Sequence, residues 1–205
     1  MGNQEMKPPR TFVLTVNRHI ARFDKTAAHL TESGLVWEPF YCMDNQICRL
    51  TPMDTFDVDR AGERIAPKHI CAQMSHYMLW KVMTYLPEDM FWALEYDVVL
   101  VPDWRAKFDS AMSVLPDDWD MVFLGSCCCE YRENKPIAKN LFEVKYPLCG
   151  HAIMYRKKAL HVLLEVHQKF YAPLDIALLN DSLPKLRVYT ILPAMINQRD
   201  TPMQR

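Results

Sequence analysis

Apolar and polar positions alternate between two periods along this chain. Thr11-Phe12-Val13-Leu14-Thr15-Val16 is rich in apolar and β-branched residues and predicts a first strand. It runs into Asn17-Arg18-His19-Ile20-Ala21-Arg22-Phe23, after which Phe23, Ala27 and Leu30 recur at a helical spacing. Gly34 predicts the end of that helix, and residues 36–41 a short second strand. Residues 44–66 are charged and aperiodic and predict a flexible connection. Pro67 and Pro87 bracket a helix whose predicted packing face is Ile70, Met74, Tyr77, Met78 and Leu79. Further helices are expected at 104–115, 157–170 and from 175, and further strands at 120–125, 152–155 and 187–192. Strands alternating with helices predict an α/β sheet with helices on its faces, and ligands at the carboxyl ends of its strands.

One strand breaks the pattern. The run FWALEYDVVLV, residues 91–101, is among the most apolar in the chain, yet carries Glu95 and Asp97. In one extended strand these two would point to the same side, with Tyr96 opposite. Two same-side carboxylates in apolar surroundings repel, and a divalent cation, a bound proton or a basic partner is the usual relief. The carboxyl end of this strand and Gly125 are therefore the places to look for a site.

Composition narrows the class. Of 205 residues half are apolar and about a quarter charged, with a net charge of −1. That balance predicts a globular protein without a chain-wide basic surface for nucleic acid. Residues 1–10 are expected to be a flexible leader, and residues 11–205 one domain. No run of apolar residues is long enough to span a bilayer, and the leader lacks a signal-peptide core, so a cytoplasmic setting is expected. The seven cysteines include the run Cys127-Cys128-Cys129 but no CxxC pair, which predicts reduced, buried thiols rather than a metal cluster.

Among candidate residues, Arg18 and Arg22 share a helix face if the helix has begun there, as a solvated basic edge or as phosphate contacts. Ser75 and His76 lie mid-helix, where adjacent residues do not face one another, which argues against a hydrolytic pair and for a structural histidine. Asp175 either caps a helix or acts as a base.

Taken in order, the pieces resemble the family 25 glycosyltransferases, over about Thr11 to Gln198. VLTVNRHIARFDKTAAHL is similar to the family's opening strand, basic loop and helix. ICAQMSHYMLW resembles its helix with Cys, Ser-His and Trp, here Cys71, Ser75, His76 and Trp80. FWALEYDVVL resembles the segment ending in three acids, with Tyr96 replacing the middle one, and DWDMVFLG its later strand. CGHAIMYRKKALHVLL and the PLD ending at Asp175 complete the series. The resemblance implies a GT-A glycosyltransferase fold, a Rossmann-like mixed sheet flanked by helices. It also implies transfer of a sugar from a nucleoside-diphosphate sugar to a glycan-type hydroxyl acceptor. Asp97, Glu95 and the candidate His151 would hold Mn²⁺ or Mg²⁺; Arg18, Arg22, Ser75, His76, Glu95 and Tyr96 would meet the donor. Asp175 would be the catalytic base of an inverting reaction. Two alternatives are transfer to a modified DNA base, which the charge disfavours, and a non-catalytic nucleotide-sugar or glycan-binding module.

Overall fold

The computed structural model describes residues 7–44, 57, 60, 66–125, 134–146 and 149–199. The chain forms β1 (Arg10–Thr15), a 3₁₀ turn (Asn17–His19), α1 (Ile20–Glu32), β2 (Glu38–Tyr41), α2 (Pro67–Tyr85) and β3 (Met90–Glu95). Then come β4 (Val98–Leu100), α3 (Trp104–Met112), β5 (Met121–Phe123), β6 (Lys135–Ala138) and β7 (Leu141–Glu143). The last elements are β8 (Ala152–Arg156), α4 (Lys157–Val166), α5 (Leu174–Ala177), β9 (Val188–Ile191) and β10 (Ile196–Gln198). Eight strands make one sheet in the order β2-β1-β3-β8-β5-β9-β7-β6. β1 runs parallel to β2 and β3, and β5 parallel to β9, while β8 lies antiparallel between β3 and β5. The carboxyl ends of β1, β2, β3, β5 and β9 therefore share one rim with the amino end of β8.

Strand alternation divides the core into two layers. Val13, Trp92 and Leu94 face α1 and α3, where Trp92 meets Phe108 edge-on with ring centroids 5.2 Å apart. Phe12, Leu14, Phe91 and Ala93 face the other way, toward Leu79, Trp80 and Met83 of α2 and Leu160 and Leu163 of α4. Burying two such layers is the main favourable term in the fold.

Several expectations change. The segment 91–101 is not one strand: the chain turns at Tyr96-Asp97, and Val98–Leu100 leaves the main sheet to pair antiparallel with β10. The two-residue alternation that placed Glu95 and Asp97 on one strand face does not apply. Of the predicted face of α2, Ile70 and Leu79 are buried but Met78 is 48% exposed, and Cys71, Gln73, Ser75, His76, Trp80 and Met83 complete the buried side. Apolar residues encircle that helix, so their spacing did not mark its inner side. The helix predicted to reach residue 170 ends at Val166. The hairpin β6–β7 and β10 carry no clear strand pattern. Of the connection at 44–66, only Asp44, Asp57, Arg60 and Ala66 are among the described residues.

Candidate functional site

The rim gathers side chains from distant parts of the sequence. Glu95 ends β3, where its backbone N–H donates to the carbonyl of His151 (2.8 Å), just before β8. The β4–β10 ribbon crosses the same rim: the Arg199 N–H donates to the Asp97 carbonyl (2.8 Å), and Gln198 Nε2 donates to Glu95 Oε2 (3.3 Å). Burial first, then the neighbouring Asp97 and Asp175, push the Glu95 carboxyl up to about 7. Glu95, Asp97 and Asp175 are thus electrostatic neighbours, although the turn at Tyr96-Asp97 separates the first two.

His151 is 1% exposed, and its Nε2 lies 3.2 Å from the carbonyl oxygen of Ile196. A carbonyl only accepts, so Nε2 carries the proton and Nδ1 keeps its lone pair. That Nδ1 is buried without a hydrogen-bond partner, as is Asp97 Oδ1. Burial holds His151 toward its neutral form, with Asp97 pulling the other way. Gly125 makes the close approach possible: a Cβ there would stand 2.1 Å from the Ile196 carbonyl and 2.2 Å from His151 Nε2. The glycine singled out at the end of a predicted strand thus seats the histidine.

Asp175 opens α5. Its Oδ2 accepts the N–H of Cys149 (2.9 Å) and its Oδ1 the N–H of Ile176 (2.9 Å), which fixes the carboxylate in orientation while leaving lone pairs on both oxygens. Cys149, at φ 70°, is disulfide-bonded, unlike the reduced thiol expected of it; Cys42 keeps a free thiol, and Cys127–Cys129 lie outside the described residues.

The donor candidates divide into two groups. Arg18 pairs with Asp44 (2.9 Å), and Arg22 Cζ lies 6.0 Å from the Tyr96 ring centroid, both at the rim. Ser75 and His76 are buried in α2, where Ser75 Oγ donates to the Cys71 carbonyl (2.6 Å) and accepts the Met43 N–H (3.0 Å). Ser75 thereby holds the loop after β2, while His76 packs beside Trp80 within the core. Gln198, the Ile196 carbonyl and His19 were missed in the sequence. The first two arrive through β4–β10 pairing across about a hundred positions, which no local pattern signals.

Among the described residues no group of three or more His, Cys, Asp or Glu side chains is arranged to hold a metal ion. Two potential ligands, Asp97 Oδ1 and His151 Nδ1, nevertheless remain unsatisfied in the protein. Mg²⁺-type sites commonly use one or two protein ligands and complete their shell with phosphate oxygens and water. The Asp97 oxygen matches that pattern, while the His151 nitrogen is a ligand that suits a transition ion such as Mn²⁺ better than Mg²⁺.

No protein-family model and no curated protein sequence matches the chain. Solved structures do. A glycosyltransferase involved in the glycosylation of the major capsid of PBCV-1 superposes with a TM-score of 0.56 at 12% identity, covering 95% of this chain and 96% of its own. The apo-form glycosyltransferase GlyE of Streptococcus pneumoniae TIGR4 gives 0.48 at 11% identity, covering 96% of this chain and 56% of its own. The inositol-1-phosphate CTP transferase of T. maritima gives 0.45 at 12%, covering 94% and 71%. Only the first is a close enough superposition to bear on the fold, and at that identity it bears on the fold alone. The mixed sheet flanked by helices is of the GT-A, Rossmann-like type, and the likeness singles out no one glycosyltransferase family.

Proposed function

We propose that this chain is a glycosyltransferase that moves a sugar from a nucleoside-diphosphate sugar to a hydroxyl of a glycan-type acceptor, with a divalent cation at Asp97 and His151. The observation that carries this reading is the pair of buried, unsatisfied ligand atoms, Asp97 Oδ1 and His151 Nδ1, at the carboxyl rim of a GT-A sheet. A bound Mn²⁺ or Mg²⁺ would supply neutralising charge for the leaving diphosphate.

The chain's own groups then have separable tasks. His151 is fixed by its Nε2–H to the Ile196 carbonyl, so that its free nitrogen is presented without a rotamer search. Asp175 takes the proton of the acceptor hydroxyl as that oxygen bonds to the anomeric carbon and the bond to the diphosphate oxygen breaks. Two backbone N–H donors hold the Asp175 carboxylate in place for this inverting route. Glu95, held by Gln198, completes the acidic lining, and Arg18 and Arg22 supply charge on the donor side.

The reading is tested by thermal shift with nucleoside diphosphates and sugar nucleotides, with and without Mn²⁺. Stabilisation that needs the cation and is lost in Asp97→Asn is expected, because a ligand that binds only the folded state raises its melting temperature. No stabilisation by any nucleotide in either condition would overturn it. A non-catalytic binding module gains some support from the missing three-ligand group among the described residues; product formation with an acceptor panel separates that case.

A further inference from the structure

We infer that His19 and Tyr96 form a stacking platform for the nucleobase of the donor; this rests on the nucleotide-sugar reading above and adds a residue and a role to it. The two rings come from neighbouring strand ends, His19 after β1 and Tyr96 after β3. They lie almost parallel, 5° apart in plane, with centroids 4.9 Å apart. That separation leaves no room for a third ring between them, so a base stacks on the outer face of the pair. Both side chains are half-buried, and Tyr96 packs against the core layer of Val13 and Trp92.

The surroundings favour a base over a sugar ring. Arg18 Nε donates to His19 Nε2 (3.2 Å), which makes that nitrogen an acceptor and fixes the ring in orientation. Arg18 also pairs with Asp44, beyond the end of β2, and Arg22 Cζ stands 6.0 Å from the Tyr96 centroid. The stack is therefore bordered by two guanidiniums, which only donate and which themselves favour π faces. Carbonyl oxygens on the edge of a base match those donors. The same arrangement explains how a tyrosine is accommodated between Glu95 and Asp97: at the turn its ring leaves the acidic lining and joins the stack.

The test compares a nucleoside diphosphate, inorganic pyrophosphate and free hexose by titration calorimetry with Mg²⁺, on wild type, His19→Leu, Tyr96→Leu and Tyr96→Phe. Each leucine variant is expected to weaken the nucleoside diphosphate about tenfold or more and to leave pyrophosphate within about twofold, while Tyr96→Phe stays near wild type. Equal weakening of both ligands, or of neither, would overturn the platform while leaving the transferase reading standing. Binding of free hexose that the leucine variants abolish would also overturn it, in favour of a sugar platform. Wild type that binds no nucleoside diphosphate would overturn both. Should the leucine variants fail to fold, NMR of the wild-type protein decides. A nucleoside monophosphate is expected to shift the His19 ring protons by ring current where pyrophosphate does not, and equal shifts would refute the stack.

Discussion

At the scale of single residues, Asp175 and Glu95 show how similar carboxylates acquire different tasks from their surroundings. Asp175 accepts two backbone N–H groups, which fix its carboxylate in one orientation, as a positioned base requires. Asp175→Asn should lower turnover by about a hundredfold or more while leaving nucleotide affinity near wild type. Loss of nucleotide binding in calorimetry would instead make it a structural clamp on the Cys149 loop. Glu95 has its carboxyl raised from 4.5 to about 7. The native state therefore holds a proton there that the unfolded chain releases. Stability from this group is full below about pH 4.5 and is lost as pH rises through about 7. Measured without divalent ions, Glu95→Gln should gain in melting temperature relative to wild type between about pH 5 and about pH 8. A difference that stays level across that range would show that Glu95 is not the group being strained. Both carboxylates were legible as candidates in the sequence, from their place in or after apolar runs. Their long-range hydrogen bonds were not, because the Cys149 N–H and the Gln198 side-chain amide come from 26 and 103 positions away in the chain.

Among the elements, the segments just after β5 and just before β8 pack tightly against β10. Gly125 follows β5, and its missing side chain lets the Ile196 carbonyl and the His151 ring approach. Gly125→Ala should cost about 1–3 kcal/mol, since the obstruction is a backbone carbonyl and a wedged ring with little room to yield. Calorimetry and metal-nucleotide titration should show stability and affinity falling together. An alanine variant with unchanged affinity would mean that His151 does not need this seat. Element type was largely readable here: the strands at 10–15, 121–123, 152–156 and 188–191 and the helices from Pro67, Trp104 and Lys157 follow the two periods. The exceptions have a shared cause. At Tyr96-Asp97 an apolar run continues through a turn, and around α2 apolar residues occur on all sides. A pattern of apolar positions reports burial, and it cannot distinguish a strand from a strand-turn-strand, or one buried face from another.

For the molecule as a whole, stability against acid depends on histidines enclosed by the second layer. Burial lowers His76 and His167 from 6.5 to about 4. His167 Nε2 lies 2.6 Å from Ser182 Oγ, and Gln73 Nε2 approaches its Nδ1 at 3.5 Å, so the ring is held between α2 and the turn after α5. The unfolded chain takes up protons that the native state refuses. Stability from these groups is full above about pH 6.5 and is lost as pH falls toward about 4. The melting temperature should drop across that window, and His76→Gln should flatten the drop, because an amide does not titrate. A wild-type profile that stays flat there would show that acid reaches these rings without unfolding the layer.

The sequence by itself determined the sheet with helices on its faces, the two-sided core, and the acids and glycine at strand ends. These are local matters of side-chain period, turn chemistry and the cost of burying charge. Only the tertiary structure decided which of those residues meet. The chain turn between Glu95 and Asp97, the β10 ribbon that brings Gln198 and the Ile196 carbonyl to the rim, and the stack of His19 on Tyr96 all depend on pairings between distant segments. Such pairings are chosen by the free energy of the whole packed core, in which no short stretch of residues has a deciding share.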